Sequence, residues 1–195
     1  MITTDQIKEL RDVTGVSVMQ CKAALEEAGG DMDKAILLLR KKSGDVASKK
    51  AERELGAGTV ASYIHSNKSV GAMVILSSET DFVSKNEEFQ KLAYDIAMQV
   101  AATNPPYLKK EDVPEAEMAK VIEVLKNEIP KDKPAPMQEK ILQGKIDEYL
   151  KSKVLLLQPF IKDESQTIDQ LLQSAVQKFG ERTEVAKFAR FTVAH

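Results

Sequence analysis

A change of hydrophobic period constrains this chain more than any other feature. Up to about residue 40 apolar side chains recur every three or four positions, and beyond Gly58 they alternate one by one. A helix brings residues three and four apart onto one face, whereas a strand does so with every second residue. The chain therefore carries a helical segment first and a segment organised around a sheet after it.

The helical segment is closely punctuated. Thr4 reads as the N-cap of a first helix with Ile7, Leu10 and Val13 along one face, and Gly15 stops it. Ser17 and Gln20 have the spacing of a capping box for a second helix, whose stripe is Met19, Ala23, Ala24 and Leu25, and Gly29-Gly30 ends it. Asp31 caps a third helix burying Ala35, Ile36 and Leu39. Residues 1–40 thus form a three-helix module near the lower size limit for independent folding. Residues 41–58 come next as a basic linker helix closed by Gly56 and Gly58. Across 40–53, Arg40, Lys41, Lys42, Lys49, Lys50 and Arg53 are offset only by Asp45 and Glu52. That run suits either a patch for RNA or a solvated helix face, and its alanines fit the second.

Residues 59–195 read as an α+β core with a small antiparallel sheet covered by helices. The runs 59–65 and 69–77 flank Ser66-Asn67-Lys68 as a hairpin, with Val60, Ser62 and Ile64 on one face of the first strand. On the second strand Val70, Ala72, Val74 and Leu76 share a face, which leaves the other only partly apolar. Asn86 caps a covering helix with Phe89, Leu92, Ala93, Ile96 and Val100 at helical spacing, ended by Asn104-Pro105-Pro106. Two more helical stripes, Met118 to Ile129 and Ile141 to Leu150, flank the prolines at 130, 134 and 136. An apolar run, 154–157, then ends at Gln158-Pro159-Phe160. Thr167 caps a last helix stopped by Gly180, and the stretch from Glu184 returns as a strand beside the first two.

The side-chain inventory excludes most chemistry. Lys and Arg number 28 against 30 Asp and Glu, a net charge of -2, which disfavours binding nucleic acid through phosphates. One Cys and two His supply neither a disulfide nor a set of metal ligands, so no metal or cofactor is expected. Cys21 reads as a packed thiol, His65 as a strand residue with a structural or surface role, and His195 stands at the last position. The glycine pairs lack phosphate-loop spacing, and no nucleophile pairs with a base; the chain is not read as an enzyme. The start, MITTDQIKEL, has neither the basic residues nor the apolar run of a signal peptide, which implies a cytoplasmic setting with no membrane segment. The most suggestive local feature is Glu79-Thr80-Asp81-Phe82-Val83, where an apolar strand gives way to a polar cap. Aromatics are only 5% of the chain, and Phe82 either plugs its own core, the commoner fate, or projects as a rigid anchor for a partner. A carboxylate at Asp81 suits an Asx-type turn that would hold the ring outward.

These residues resemble the bacterial elongation factor Ts family over essentially the whole chain. The resemblance rests on ordered blocks: Leu10-Arg11 to Thr14-Gly15, Met19 to Leu25, Gly29-Gly30-Asp31 with Ala35 to Leu39, Tyr63-Ile64-His65, Thr80-Asp81-Phe82-Val83, Gln158-Pro159-Phe160 and Phe188-Ala189-Arg190-Phe191. It implies that the N-terminal module is like ubiquitin-associated domains and that the function is guanine-nucleotide exchange on elongation factor Tu. It implies further that Arg11, Val18 and Met19 lie on the module's contact surface. Thr80, Asp81, Phe82 and Val83 form the loop associated with displacing the partner's Mg²⁺, which makes Phe82 an anchor instead of a core plug. With about 50 residues between Pro106 and Gln158, the chain looks like a short form lacking a second core subdomain and a C-terminal helix. The resemblance implies a second copy of the chain as the replacement, and the unpaired edge of the small sheet suits a dimer seam.

Overall fold

The computed structural model describes residues 2–130 and 132–193, so His195 lies outside the described residues. Helix α1 (Thr4–Thr14) is capped by Thr3, one residue before the expected cap. The shift has a local cause. Gln6 stands at the third helical position from Thr3 and returns the cap's hydrogen bond, whereas the corresponding partner of Thr4 is Ile7, which has none to give. Gly15 ends α1 with φ 67°, a left-handed conformation that a side chain resists, and its N–H reaches Arg11 O at 2.7 Å. Helix α2 (Val18–Glu27) starts at Ser17, and its buried side chains are Cys21, Ala24 and Leu25. Met19 and Ala23, assigned to that stripe from the sequence, face solvent because Cys21 fills the core position.

Helix α3 (Met32–Lys50) begins at the expected cap, Asp31, but does not stop near 40. Gly44 lies inside it without ending it, and 19 residues at about 1.5 Å each give a rod about 28 Å long. Its second half is the basic run. Ser43 is buried there, donating to Leu39 O and bonded to the Gln177 amide oxygen.

The hairpin forms as expected from β1 (Ala57–Ile64) and β2 (Val70–Ser78), paired antiparallel with Ala61 opposite Val74. One short helix comes after it, α4 (Asp81–Ser84), then α5 (Glu87–Thr103), capped by Asn86 Oδ1. Phe89, Ala93, Ile96, Ala97 and Val100 on α5 are wholly buried against Val74 and Leu76 of the sheet. Burial of the Phe89 ring alone contributes roughly 1.5–3 kcal/mol.

Helices α6 (Glu115–Asn127) and α7 (Ala135–Lys153) pack on one another beside a small core of Val113, Leu150 and Val154. Glu117 accepts from the hydroxyls of Tyr107 at 2.5 Å and Tyr149 at 2.6 Å. After the 3₁₀ turn Leu155–Leu157, a two-stranded sheet of β3 (Pro159–Phe160) and β4 (Asp163–Thr167) stands where no sheet was expected. Buried Gln99 holds that segment, donating to Gln158 Oε1 and Pro159 O and accepting from Ile161 N.

Thr167 then caps α8 (Ile168–Phe179) in a full capping box with Gln170. The final strand, β5 (Glu184–Thr192), pairs antiparallel with β2, giving the order β1-β2-β5. The fold is therefore α+β, and α8 joins its parts. It carries the sheet's inner core through Ile168 and Leu172 and receives α3 on its other side. Arg40 donates to Ser165 O at 2.7 Å and Ser165 Oγ at 3.0 Å, and Lys50 donates to Gly180 O. Helix α3 is a strut fixed to the core through its second half.

Candidate partner-binding site

The loop that leaves β2 reverses direction through hydrogen bonds that the sequence makes available locally. Ser78 Oγ donates to Thr80 O, and Ser84 N and Lys85 N return to Thr80 O and Asp81 O, closing the single turn α4. One turn has opposite faces. Val83 (4% exposed) and Ser84 point into the main core, while Phe82 is 82% exposed. The ring is thus not a core plug. Asp81 lies beside it and pairs with Lys85 at 2.5 Å. That hydrogen bond chiefly holds the Asp81 carboxyl below its usual range, with the backbone N–H groups of Asp81 and Phe82 contributing less. The Asx-type role expected of Asp81 is therefore secondary to its pairing with Lys85. Thr80 instead is gripped from the far end of the chain, its N–H and hydroxyl both donating to Glu181.

The second group lies at the α1–α2 corner. Arg11 is exposed in the last turn of α1, and Val18 (49% exposed) and Met19 (83% exposed) open α2. Buried Val16 between them anchors the corner, so Val18 and Met19 emerge on the outside. Val13 and Leu37 are exposed on the same module, and neither stands out as a surface residue in the sequence. Val13, three residues after Leu10, is expected on the buried face but stands exposed.

A third apolar surface is visible in the sequence only as a partly apolar face. Val60, Ile64, Met73, Ile75 and Phe191 are all exposed on the outer side of the sheet. Phe191 stands opposite Gly71, whose missing side chain leaves a shallow groove between Ile64, Met73 and Phe191. The period-two pattern of β1 and β2 carries this signal, since alternate positions on both faces are apolar. His65 is exposed near the turn with Nδ1 3.0 Å from the Tyr63 hydroxyl.

The basic run is largely spent inside the protein. Arg40 and Lys50 hold α8 and its neighbours, Lys42 pairs with Glu27 at 2.7 Å, and Arg53 pairs with Glu79 at 3.2 Å. This arrangement favours the structural role of the segment over an RNA patch. Among the described residues no cluster of three His, Cys, Asp or Glu side chains is placed to hold a metal ion, and no helix is long and apolar enough to cross a membrane.

The α+β core with its exposed aromatic turn matches, over residues 45–195, the family model described as elongation factor TS, so the class is a translation elongation factor. Relatives extend the match through the helical module. The elongation factor Ts of Thermodesulfovibrio yellowstonii is 48% identical over 192 residues, covering 98% of this chain and 96% of the relative. That of Thermosipho melanesiensis is 46% identical over 195 residues, covering 99% of both, and that of Herpetosiphon aurantiacus is 45% identical over 193 residues, covering 98% of both. The chain belongs to the elongation factor Ts family, and its role is in translation elongation.

Proposed function

We propose that this chain is a cytoplasmic guanine-nucleotide exchange factor for elongation factor Tu, acting by deforming its partner and not as an enzyme. The observation that carries the reading is the stance of Phe82, 82% exposed on a turn whose next residue, Val83, is rooted in the core. GDP in a GTPase is held by Mg²⁺ and by donors around its phosphates. A ring inserted among those elements separates several contacts together. Burying Phe82 supplies roughly 1.5–3 kcal/mol. When that burial occurs only in the opened partner, it favours the open state by about ten- to a hundredfold. Linkage makes the effect reciprocal, so the GDP-loaded partner binds this chain less tightly than the empty one.

Thr80 and Val83 serve this role by holding the turn, whereas Asp81 and Phe82 meet the partner. Arg11, Val18 and Met19 form the anchoring contact. Stopped-flow release of labelled GDP from elongation factor Tu tests the assignments. Phe82→Ala lowers the plateau rate, and Met19→Ala raises the concentration for half-maximal exchange while leaving the plateau. Release by the Phe82→Ala chain as fast as by the unmodified chain, with equal complex affinity, rejects the wedge. Point substitutions suit the module better than removal of residues 1–40, which severs α3.

A second copy of the chain is the partner proposed for the outer sheet face, in place of the sheet edge expected from the sequence, because Val60, Ile64, Met73, Ile75 and Phe191 are exposed together there. The complex then contains two copies of each protein. A mass corresponding to one plus one at micromolar concentration counts against it.

A further inference from the structure

Two carboxylates are exchanged between the loop that carries Phe82 and a loop distant in sequence. Glu79 Oε1 accepts from Arg182 N at 2.6 Å, and Glu181 accepts from Thr80 N at 3.0 Å and from Thr80 Oγ1 at 2.6 Å. Each acid thus binds the backbone of the residue beside the other acid. Arg53, just beyond the end of α3, joins by donating to both Glu79 oxygens, and its own carbonyl accepts from Arg182 Nη1 at 2.5 Å. Three separate parts of the chain meet at this point.

The clasp displaces an ordinary local bond. A threonine at an N-cap commonly accepts from a backbone N–H of the first turn. Thr80 is the N-cap of α4 but makes no such bond, because its hydroxyl is directed to Glu181. A four-residue turn has too few internal hydrogen bonds to fix its own direction. Phe82, exposed, contributes little packing of its own. The direction of the ring is then left to buried Val83 and Ser84 on one side and to the clasp on the other.

We propose that Glu79 and Glu181 are positioning residues that set the direction of Phe82 before any partner arrives, a role that rests on the reading of Phe82 as the ring that opens the GTPase. Both carboxylates are engaged within the chain. They act by withholding alternative directions from the turn, so that less ordering remains to be done on binding. Charge assistance on both sets of hydrogen bonds suits them to the task.

The experiment uses the full chain and two independent readouts. The chain contains no Trp, so Phe82→Trp places a single indole reporter on the turn. In the free protein, Glu181→Ala is expected to increase fast depolarisation of that reporter, and Glu181→Gln, which keeps one acceptor oxygen, to increase it less. In stopped-flow exchange, Glu181→Ala is expected to lower the plateau several-fold, no further than Phe82→Ala does, with the half-saturation concentration changed by less than about twofold. In the Phe82→Ala background it is expected to add nothing, an outcome that general destabilisation does not produce. Unchanged depolarisation overturns the proposal, as does an equal fractional loss of exchange in both backgrounds. If Phe82→Ala alone exchanges normally, the wedge reading is what fails, and the depolarisation result then decides the clasp by itself.

Discussion

Phe82 and Val83 are consecutive in the chain and opposite in environment, the first 82% exposed and the second 4% exposed in the main core. The turn gives Val83 to the core and leaves Phe82 to solvent. Val83→Ala is expected to cost roughly 1.5–3 kcal/mol in chemical denaturation. Phe82→Ala is expected to change stability by less than about 0.5 kcal/mol. Equal losses from the two substitutions contradict the division.

Arg40 fastens α3 to the core. It gives hydrogen bonds to Ser165 O and Oγ and lies 3.8 Å from the Asp163 carboxylate, with its side chain 22% exposed. Arg40→Ala is expected to cost about 1–2 kcal/mol and to raise hydrogen exchange most in the second half of α3. Faster exchange confined to α1 and α2 counts against the strut.

Gly58 fits where a side chain does not. A Cβ there meets Leu76 O at 2.7 Å, a backbone atom of the facing strand. Gly58→Ala therefore pushes β1 from β2 and is expected to cost about 1–3 kcal/mol in thermal or chemical denaturation. Gly144, with open space around its Cβ position on α7, is the control, and Gly144→Ala is expected to stabilise by a few tenths up to about 1 kcal/mol. Equal effects at the two sites refute the steric account.

The Glu117 cluster gives the helical pair α6–α7 a pH dependence with opposite signs at the two ends of the scale. The Glu117 carboxylate pushes the Tyr149 hydroxyl up to about 12. Since this exceeds the unfolded value, the bond's contribution is complete below about pH 10 and is lost as pH rises through about 12. Hydrogen bonds from Tyr107 first and Tyr149 second hold Glu117 below its usual range. That contribution is complete above the ordinary carboxylate value and lost as pH falls through the lowered one. In Glu117→Gln, ultraviolet difference absorbance is expected to show Tyr149 ionising nearer about pH 10, with Tyr149→Phe making the assignment. An unchanged titration refutes the coupling.

Most caps and stops were legible because they are local chemistry, the cap of α1 and the end of α3 excepted. Asp31, Asn86 and Thr167 each sit immediately before a helix and bond to its first turn, and Gly15 and Gly180 end theirs in left-handed conformations. The buried faces of β2 and α5 were legible from their periods for the same reason. The β3–β4 sheet was not legible. Its longer strand, DESQT, has no apolar alternation, and the segment is ordered by Gln99 from α5, 59 residues from Gln158. The length of α3 was hidden because what sustains it, buried Ser43 against Gln177, is a contact across 134 residues.

The candidate site was legible as a set of residues and not as an arrangement. Thr80 to Val83 showed a strand giving way to a cap, but which side chain would be rooted and which presented depended on the direction of α4. That direction involves Glu181, 101 residues from Thr80. The period of α2 put Met19 on its buried stripe, but Cys21 takes the core position and Met19 stands exposed.

The pairing of β5 with β2 also governs when this protein can first become itself. During synthesis the α1–α3 module emerges early, and its core of near neighbours such as Leu10, Cys21, Leu25 and Leu39 requires little of the later chain. The sheet has to wait. Val74 finds Phe188 only after the helices between them have been made, and until then β2 offers one edge of unpaired backbone to whatever is nearby. The residue that grips Thr80 is likewise supplied from late in the chain, Glu181 lying 101 positions on. A chain interrupted before β5 would display a finished helical module beside an unfinished sheet.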